Sequence, residues 1–420
     1  MDRQKALEEL YGDLTGAAPV KPKNEFERYW LERQPFPPKA IPPHPVDYCF
    51  DQIEARKAFE RIVRQTVSGD GSVVTLLAPF RDGKSHLLRY FENRVMKKLY
   101  PDKLGIAVYV DKDWQGDTLK LFTLIQQEIG MGKWMEMVGR IATERLLLDS
   151  DQIATFISEA AASEAESTPA FADSLVRDVF DYIYGVSKER DFSLALANLL
   201  HPLNRRLAWK YLTGLRIYKA EANDLSLDTV AIDASNLFFF LSAKFKTLAH
   251  LFDGVFLFID ELESLTRGRA ESMLRMRTDL RRLIDTLPPN CSMILSCNSS
   301  TITRLYAEDP ALIGRFGEMI RTSPITSYED SLEYLKGYLD RARPPGFRKR
   351  NKIFPFNQDV VEHLIKSISL KEGRCPIGIF LKICRLTLIE GIKAGGKGEL
   401  TTDLVDAALE IGQTGEEETI

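Results

Sequence analysis

The apolar run Val73–Leu77 gives way to Ala78, Pro79, Phe80, Arg81, Asp82, Gly83, Lys84 and Ser85, and then to the helix-patterned run Leu87-Leu-Arg-Tyr-Phe-Glu92. No other stretch constrains the fold as much. A buried strand, a tight loop and a helix in that order put the first backbone N–H groups of the helix at the mouth of the loop, where the helix itself offers them no acceptor. Such a mouth holds anionic phosphate. Gly83 lets the backbone approach the anion, Lys84 reaches its outer phosphates, and the Ser85 hydroxyl ligates Mg²⁺. Ala78 through His86 is therefore expected to line ATP, with the His86 side chain itself structural. The pattern usually opens on Gly. Ala78 stands there instead, and a positive φ at that position would cost roughly 1–2 kcal/mol.

A buried strand needs partners. Gly105-Ile-Ala-Val-Tyr-Val-Asp111, Val255-Phe-Leu-Phe-Ile259, Met293-Ile-Leu-Ser296 and Met319-Ile-Arg321 read as further strands, with helical patterns between them. Strands alternating with helices predict an α/β fold, a parallel sheet covered by helices on both faces. Apolar spacing predicts helices over 51–63, 85–99 and 117–129. Residues 131–250 show helical patterns and no strand, most regularly at Leu194–Leu200, Leu207–Leu215 and Leu237–Leu251. They read as a large helical insertion with a small-residue loop at 160–169. The nucleotide-binding core is thus placed at 46–326, an all-α lid at 327–412 and a polar tail at 413–420. Residues 1–45 read as an extension, with two short helical patterns near 2–12 and 24–33, followed by Pro35, Pro37, Pro38, Pro42, Pro43 and Pro45 as an extended linker.

A chain of 420 residues, 44% hydrophobic and 28% charged, has ordinary globular composition and room for two or three domains. It lacks an apolar run of about 18 residues, and its charged N-terminus has no apolar signal core, so no membrane span and a cytoplasmic location are expected. The five cysteines are scattered without ligand spacing and read as reduced thiols. The dispersed histidines point to no metal other than Mg²⁺. Trp30, Trp114, Trp134 and Trp209 read as core or domain-contact residues. A net charge of −4 leaves only local basic patches for nucleic-acid contact.

Three features could complete a hydrolytic site. The strand Val255–Ile259 ends in Asp260 and Glu261; Asp260 would hold Mg²⁺ through water and Glu261 would polarise the attacking water. Apolar-then-acidic also describes a strand running into a solvated turn. The strand ending at Asn298 places an amide beside those carboxylates, although Asn also starts turns. Arg315, in Leu312-Ile-Gly-Arg315-Phe, would offset transition-state charge at a neighbouring subunit's nucleotide, or else form a surface salt bridge.

The ordered set Ala78–Ser85, Val255–Glu261, Asn298 and Arg315, followed by a small helical domain, resembles the AAA+ ATPases over roughly 46–412, most closely the origin-recognition initiator clade and related bacterial ATPases. The resemblance implies Walker A, Walker B, sensor 1 and arginine-finger roles for these four elements in turn. It implies an adenine frame at Tyr48–Ile53 and a sensor 2 arginine at Arg374, which precedes the run Ile377-Gly-Ile-Phe-Leu-Lys-Ile-Cys384. Two departures stand out. The 131–250 insertion is much longer than the family's usual single helix. Only a short polar tail follows Glu410, so the initiators' winged helix is not expected. Leu207-Ala-Trp-Lys-Tyr-Leu-Thr-Gly214, ahead of Asp260-Glu261-Leu262-Glu263, is similar over a few residues to ATP-binding proteins of BREX-type phage-defence systems.

Two basic clusters are candidate DNA contacts: Arg341, Arg343, Arg348, Lys349, Arg350 and Lys352 in a Pro/Gly loop, and Arg267, Arg269, Arg275, Arg277, Arg281 and Arg282 after the second motif. A solvated face or a subunit interface explains them equally well. The expected function is an ATPase, slow or partner-stimulated, working as a switch or loader on DNA in phage defence, replication or transposition. It would assemble with itself or with other proteins. The alternative is a scaffold ATPase that controls protein partners through 131–250 without DNA. A metabolic kinase is disfavoured by the combination of Asn298, Arg315 and a helical lid.

Overall fold

The computed structural model describes residues 24–38, 45–111, 114, 117–151, 153, 169–266, 270–347, 351–396 and 398–414. The described residues divide into two compact units, one holding those up to 38 and from Pro324 onward, the other those from 45 to Ser323.

The second unit is built on five strands: β1 (Val73–Leu77), β2 (Ile106–Val110), β3 (Val255–Ile259), β4 (Cys291–Cys297) and β5 (Met319–Arg321). They pair in parallel in the order β2-β3-β4-β1-β5. Every residue of β1 to β4 is buried, because apolar side chains leave both faces and both faces are covered. Alternation sorts them. Val74, Leu76, Tyr109, Phe256, Phe258 and Ile294 pack with α1 (Ile53–Val67) and α2 (Lys84–Lys98), where Phe59 stacks on Phe91 at 4.0 Å. Val73, Leu77, Val108, Leu257 and Leu295 enter the core on the other face.

That second core takes in the insertion. Helix α3 (Thr118–Arg140) breaks at Gly130, whose φ of 78° and ψ of 151° are not helical, so the expected helix to residue 129 is followed at once by another. Then come α4 (Pro169–Ser187), α5 (Arg190–Ala197), α6 (Arg205–Leu212), α7 (Lys219–Asp224) and α8 (Leu237–Leu251). Trp134, Phe192, Tyr211 and Phe240 meet edge to face in their midst and belong to the same core as the sheet. Trp114 and Trp134 are buried as expected, whereas Trp30 is 55% exposed. Helices α9 (Ala270–Thr286), α10 (Ser299–Glu308) and α11 (Pro310–Ile313) complete the unit. Among the described residues no helix is long and apolar enough to cross a membrane.

The other unit holds α12 (Tyr328–Asp340), α13 (Gln358–Glu372), α14 (Ile377–Lys393) and α15 (Thr402–Thr414). Ser327 and Asp330 form a capping box that starts α12. Residues 24–38, read from sequence as part of an extension, pack within this unit. Tyr29, Leu31 and Phe36 are buried, Phe36 lies against Tyr338 and Phe356, and Arg28 donates to the Ile392 carbonyl at 3.2 Å. Residues 1–23, 39–44, 154–168 and 415–420 lie outside the described residues.

Candidate nucleotide site

The parallel register puts the carboxyl ends of β1, β4 and β3 side by side, with Leu77 opposite Cys297 and Leu295 opposite Ile259. Ligands bind at this edge of an open α/β sheet. The loop after β1 runs from Ala78, fully buried and donating its N–H to the Cys297 carbonyl at 3.1 Å, to Gly83. Ala78 does not take a positive φ; the left-handed positions are Arg81 at 67° and Gly83 at 77°. The cost anticipated at Ala78 therefore falls away, and the strain sits on Arg81. Gly83 caps α2 without any side-chain acceptor, so the first turn of the helix opens to the loop mouth. Phe80 is exposed with the Arg81 guanidinium 5.5 Å over its ring, while Asp82 is buried. Lys84 Nζ donates to the Ala78 carbonyl at 3.0 Å and the Pro79 carbonyl at 3.4 Å.

Beside the loop, His86 Nε2 donates to the Tyr48 carbonyl at 2.9 Å, and the Tyr48 ring lies 5.0 Å from His86 and 5.3 Å from Phe50. Asp51 and Gln52 follow in left-handed conformation. The Gln52 amide then pairs with the Ser323 backbone in both directions, at 2.8 and 2.9 Å.

Asp260 is 2% exposed and held by its neighbours. Tyr109 donates its phenol proton to Oδ2 at 2.8 Å; Ser296 and the Glu261 N–H donate to Oδ1. Burial and the adjacent Asp260 carboxylate push the Tyr109 phenol well above its usual range, so it stays a donor. The Arg89 guanidinium lies 4.0 Å over the Tyr109 ring. Glu261 takes φ 54° and is exposed. A 3₁₀ turn, Leu262–Thr266, follows; Leu262 and Leu265, three apart, both enter the core. That register turns Glu263 back toward β4. Its Oε1 accepts from the Asn298 N–H at 2.9 Å and lies 3.8 Å from Lys84 Nζ, while Oε2 is buried without a partner. Burial raises the nearby Cys297 thiol to about 12, with Glu263 adding to the rise and Lys84 opposing it.

The structure therefore gathers Lys84, Asp260, Glu263, Ser296 and the Asn298 backbone. Glu263, Tyr109 and Ser296 were not singled out from the sequence. Ser296 and Tyr109 carried a faint signal as polar residues inside otherwise apolar strands. The Asn298 Oδ1 caps α10, accepting from the Thr301 N–H at 2.8 Å and the Ser300 hydroxyl at 2.7 Å, so it is the helix-starting Asn weighed as an alternative.

Arg315 forms a two-pronged pair with Asp285, at 2.6 and 2.7 Å, and donates to the Ala311 carbonyl at 2.6 Å. These bonds hold the Asp285 carboxyl below its usual range and raise Arg315. The arginine expected to reach a neighbour is engaged within its own chain. Arg374 belongs to the other unit, just after Gly373 ends α13 in left-handed conformation.

The basic clusters need correcting. Arg343 is not a solvated DNA contact: it is buried, donates to Asp340 and to the Lys352 and Phe354 carbonyls, and lies 3.9 Å over the Phe347 ring. Arg277 is likewise buried and bound to the Leu265 carbonyl and Glu308. Arg341, Lys352, Arg275 and Arg282 are exposed. Arg267, Arg269, Arg348, Lys349 and Arg350 lie outside the described residues.

Among the described residues no group of three or more His, Cys, Asp or Glu side chains is placed to hold a metal by itself. Magnesium beside a triphosphate does not require one, since it keeps several waters and takes one or two protein oxygens. The Ser85 hydroxyl and the remaining lone pair of Asp260 Oδ2 are oxygen donors of that kind and fit it.

No family model and no curated protein matches the chain. Solved structures do. The ADP form of the ORC2 protein of Aeropyrum pernix is 11% identical, with a TM-score of 0.50 and coverage of 92% of this chain and 75% of that one. The ADPNP–ADP complexes of the same protein give 12% identity, a TM-score of 0.49 and coverage of 93% and 73%. The Aeropyrum pernix ORC1 protein in complex with DNA gives 13%, 0.45, and 92% and 69%. The fold is that of the origin-recognition AAA+ proteins: a parallel α/β sheet with an α-helical C-terminal unit.

Proposed function

We propose that the chain is an ATPase that binds ATP on the Ala78–Ser85 loop and uses its hydrolysis to switch its association with DNA. One observation carries the reading: Lys84 stands at the uncapped N-terminus of α2, beside the acidic turn that follows β3, at the carboxyl edge of the sheet. An ADP-bound protein of the same fold supports it. The backbone of the loop and Lys84 hold the phosphates, and Tyr48 to Ile53 frame the base. Ser85, with Asp260 through water, would hold Mg²⁺, which neutralises phosphate charge. Asp260 is fixed by Tyr109 and Ser296, and a carboxylate of the turn after β3 orients the attacking water. A neighbour's Arg315 would reach the terminal phosphate only after releasing Asp285. Hydrolysis then requires an assembled neighbour, which fits a slow or partner-stimulated enzyme in a phage-defence or replication setting.

Lys84→Ala tests the site. Charge-assisted hydrogen bonds contribute about 1.5–3 kcal/mol each, so ATP affinity should fall about 10- to 150-fold. Equilibrium titration with a fluorescent ATP analogue reads this, and unchanged affinity rejects the assignment. A second reading, nucleotide-controlled capture of a protein, is favoured by Leu203, Leu215, Tyr218 and Phe239, large apolar side chains that the insertion leaves exposed.

A further inference from the structure

Glu261 holds a backbone conformation that a glutamate rarely adopts. Its φ is 54°, and a left-handed residue other than glycine costs free energy, so it persists only where its surroundings impose it. The peptide that joins Asp260 to Glu261 shows what imposes it. The N–H of that peptide donates to Asp260 Oδ1 at 2.9 Å. Its carbonyl accepts from the Trp114 indole N–H at 3.3 Å. Both polar groups of one peptide are thus occupied, and its plane is fixed from both sides. Trp114 and Asp260 are both buried, so bulk water does not stand in for the indole.

Trp114 is itself held in place. It follows β2, whose Val110 carbonyl accepts from the Asp260 N–H at 2.9 Å and whose Tyr109 donates to the Asp260 carboxylate. On its other side, the Trp114 carbonyl accepts from the Asp117 N–H at 2.9 Å, and the Asp117 carboxylate caps α3. The indole therefore reaches from the start of α3 to the acidic end of β3.

We propose that Trp114 is a positioning residue for ATP hydrolysis: its indole N–H fixes the Asp260–Glu261 peptide and so aims the Glu261 carboxylate at the attacking water. The proposal rests on the nucleotide reading above, with Glu261 as the carboxylate that polarises the water. Without the indole N–H the buried Asp260 carbonyl loses its donor, and turning the peptide over to find another moves Glu261 out of the left-handed region. The Glu261 side chain then leaves the backbone on a different bearing, and a misplacement of about 1 Å costs about 100-fold in rate. These bonds lie apart from the loop that holds the phosphates, so ATP affinity is spared.

The test replaces Trp114 in the full chain in two ways. Trp114→Phe removes the N–H and part of the ring. 3-Benzothienylalanine at position 114 puts sulfur in place of the N–H and keeps the size of the ring, which protects the fold. Affinity for a fluorescent ATP analogue, phosphate release at raised protein concentration and well below the melting midpoint, and hydrogen exchange at the Glu261 amide are measured for each. Both variants should bind ATP within about threefold of the parent and lose turnover about 10- to 100-fold. Their Glu261 amide should exchange faster, since turning the peptide breaks its bond to Asp260 Oδ1, while the amides of β3 exchange as in the parent. In a Glu261→Gln background the aimed carboxylate is already gone, so Trp114→Phe should change the residual turnover by less than about twofold. A benzothienyl variant that keeps turnover within about twofold of the parent overturns the proposal, as does the full loss repeated in the Glu261→Gln background. Turnover and ATP affinity that fall together, with faster exchange along β3, also overturn it, by making Trp114 structural only. A Glu261→Gln protein with full turnover overturns it and leaves nucleotide binding intact. A parent chain that binds no ATP sinks the nucleotide reading, and the proposal with it.

Discussion

Lys244 lies on α8 with no exposure, its Nζ 3.2 Å from the Phe122 carbonyl and 3.6 Å over the Phe122 ring. Burial holds its pKa well below the usual lysine range. Between that lowered value and about 10.4 the unfolded chain binds a proton that the folded chain does not, so this residue makes stability rise with pH, by about 1.4 kcal/mol per unit. Lys244→Met keeps the volume and removes the titration. The variant should be more stable than the parent at pH 7, with the gap narrowing as the pH climbs toward 9. Urea denaturation at several pH values checks this; parallel pH dependences in the two proteins would contradict it. Nothing in the sequence marks Lys244, because a cation in an apolar helix usually snorkels to water. Glu263 was equally hidden. Asp260 and Lys84 stand in patterns that bonding geometry makes recognisable. That Glu263 comes within 3.8 Å of Lys84 depends on a 3₁₀ register, which no spacing rule conveys.

The strands were the most legible elements. Four apolar runs between turn signals became the buried strands β1 to β4, since a strand covered on both faces has no polar face to blur it, and the short Met319–Arg321 run became the edge strand β5. What fixes their neighbours is less visible. Gly71 leads into β1 with its N–H on the Pro289 carbonyl. A Cβ there would lie 2.1 Å from the Cys291 carbonyl oxygen and 2.8 Å from that of Pro289. Backbone cannot swing aside as a side chain does, so Gly71→Ala must part β1 from the start of β4. It should destabilise the chain by about 1–3 kcal/mol, the range for overpacking. Gly69→Ala is the contrast, for its site is open and only its φ of 84° resists. Denaturation midpoints that rank Gly69→Ala well below Gly71→Ala would refute the pairing of these strand ends. The helices of the insertion were legible as helices, but their union with one sheet face was not, because periodicity shows that a face is apolar and not what covers it. Residues 24–38 follow the same rule: the short helical pattern near 24–33 is present as a 3₁₀ turn, Glu25–Tyr29, but no pattern in the sequence shows that Tyr29, Leu31 and Phe36 are buried.

At the scale of the molecule, a net charge of −4 gives no broad attraction to a polyanion, and DNA contact has to be local. Counting cations along the sequence overstates the supply, since Arg343 and Arg277 spend their donors on backbone carbonyls inside the protein. Arg275 and Arg282, two turns apart on α9, are exposed, as are Arg341 and Lys352. Each phosphate neutralised contributes about 0.9 to the slope of log affinity against log salt, so four such contacts give a slope of about −3.6. Arg282→Ala should flatten that slope by about one contact's share, or 0.9, and leave the melting midpoint where it was. Arg343→Ala should do the reverse, leaving the slope and lowering the midpoint, because it orphans the Lys352 and Phe354 carbonyls. Fluorescence anisotropy with a short duplex across a salt series, with and without ATP, measures the first quantity, and a thermal melt the second. Absence of salt-dependent binding in both nucleotide conditions would remove DNA from the reading and shift the balance to the exposed apolar side chains of the insertion. A slope altered by Arg343→Ala would mean that the buried guanidinium opens to the duplex, a rearrangement that this packing gives no reason to expect.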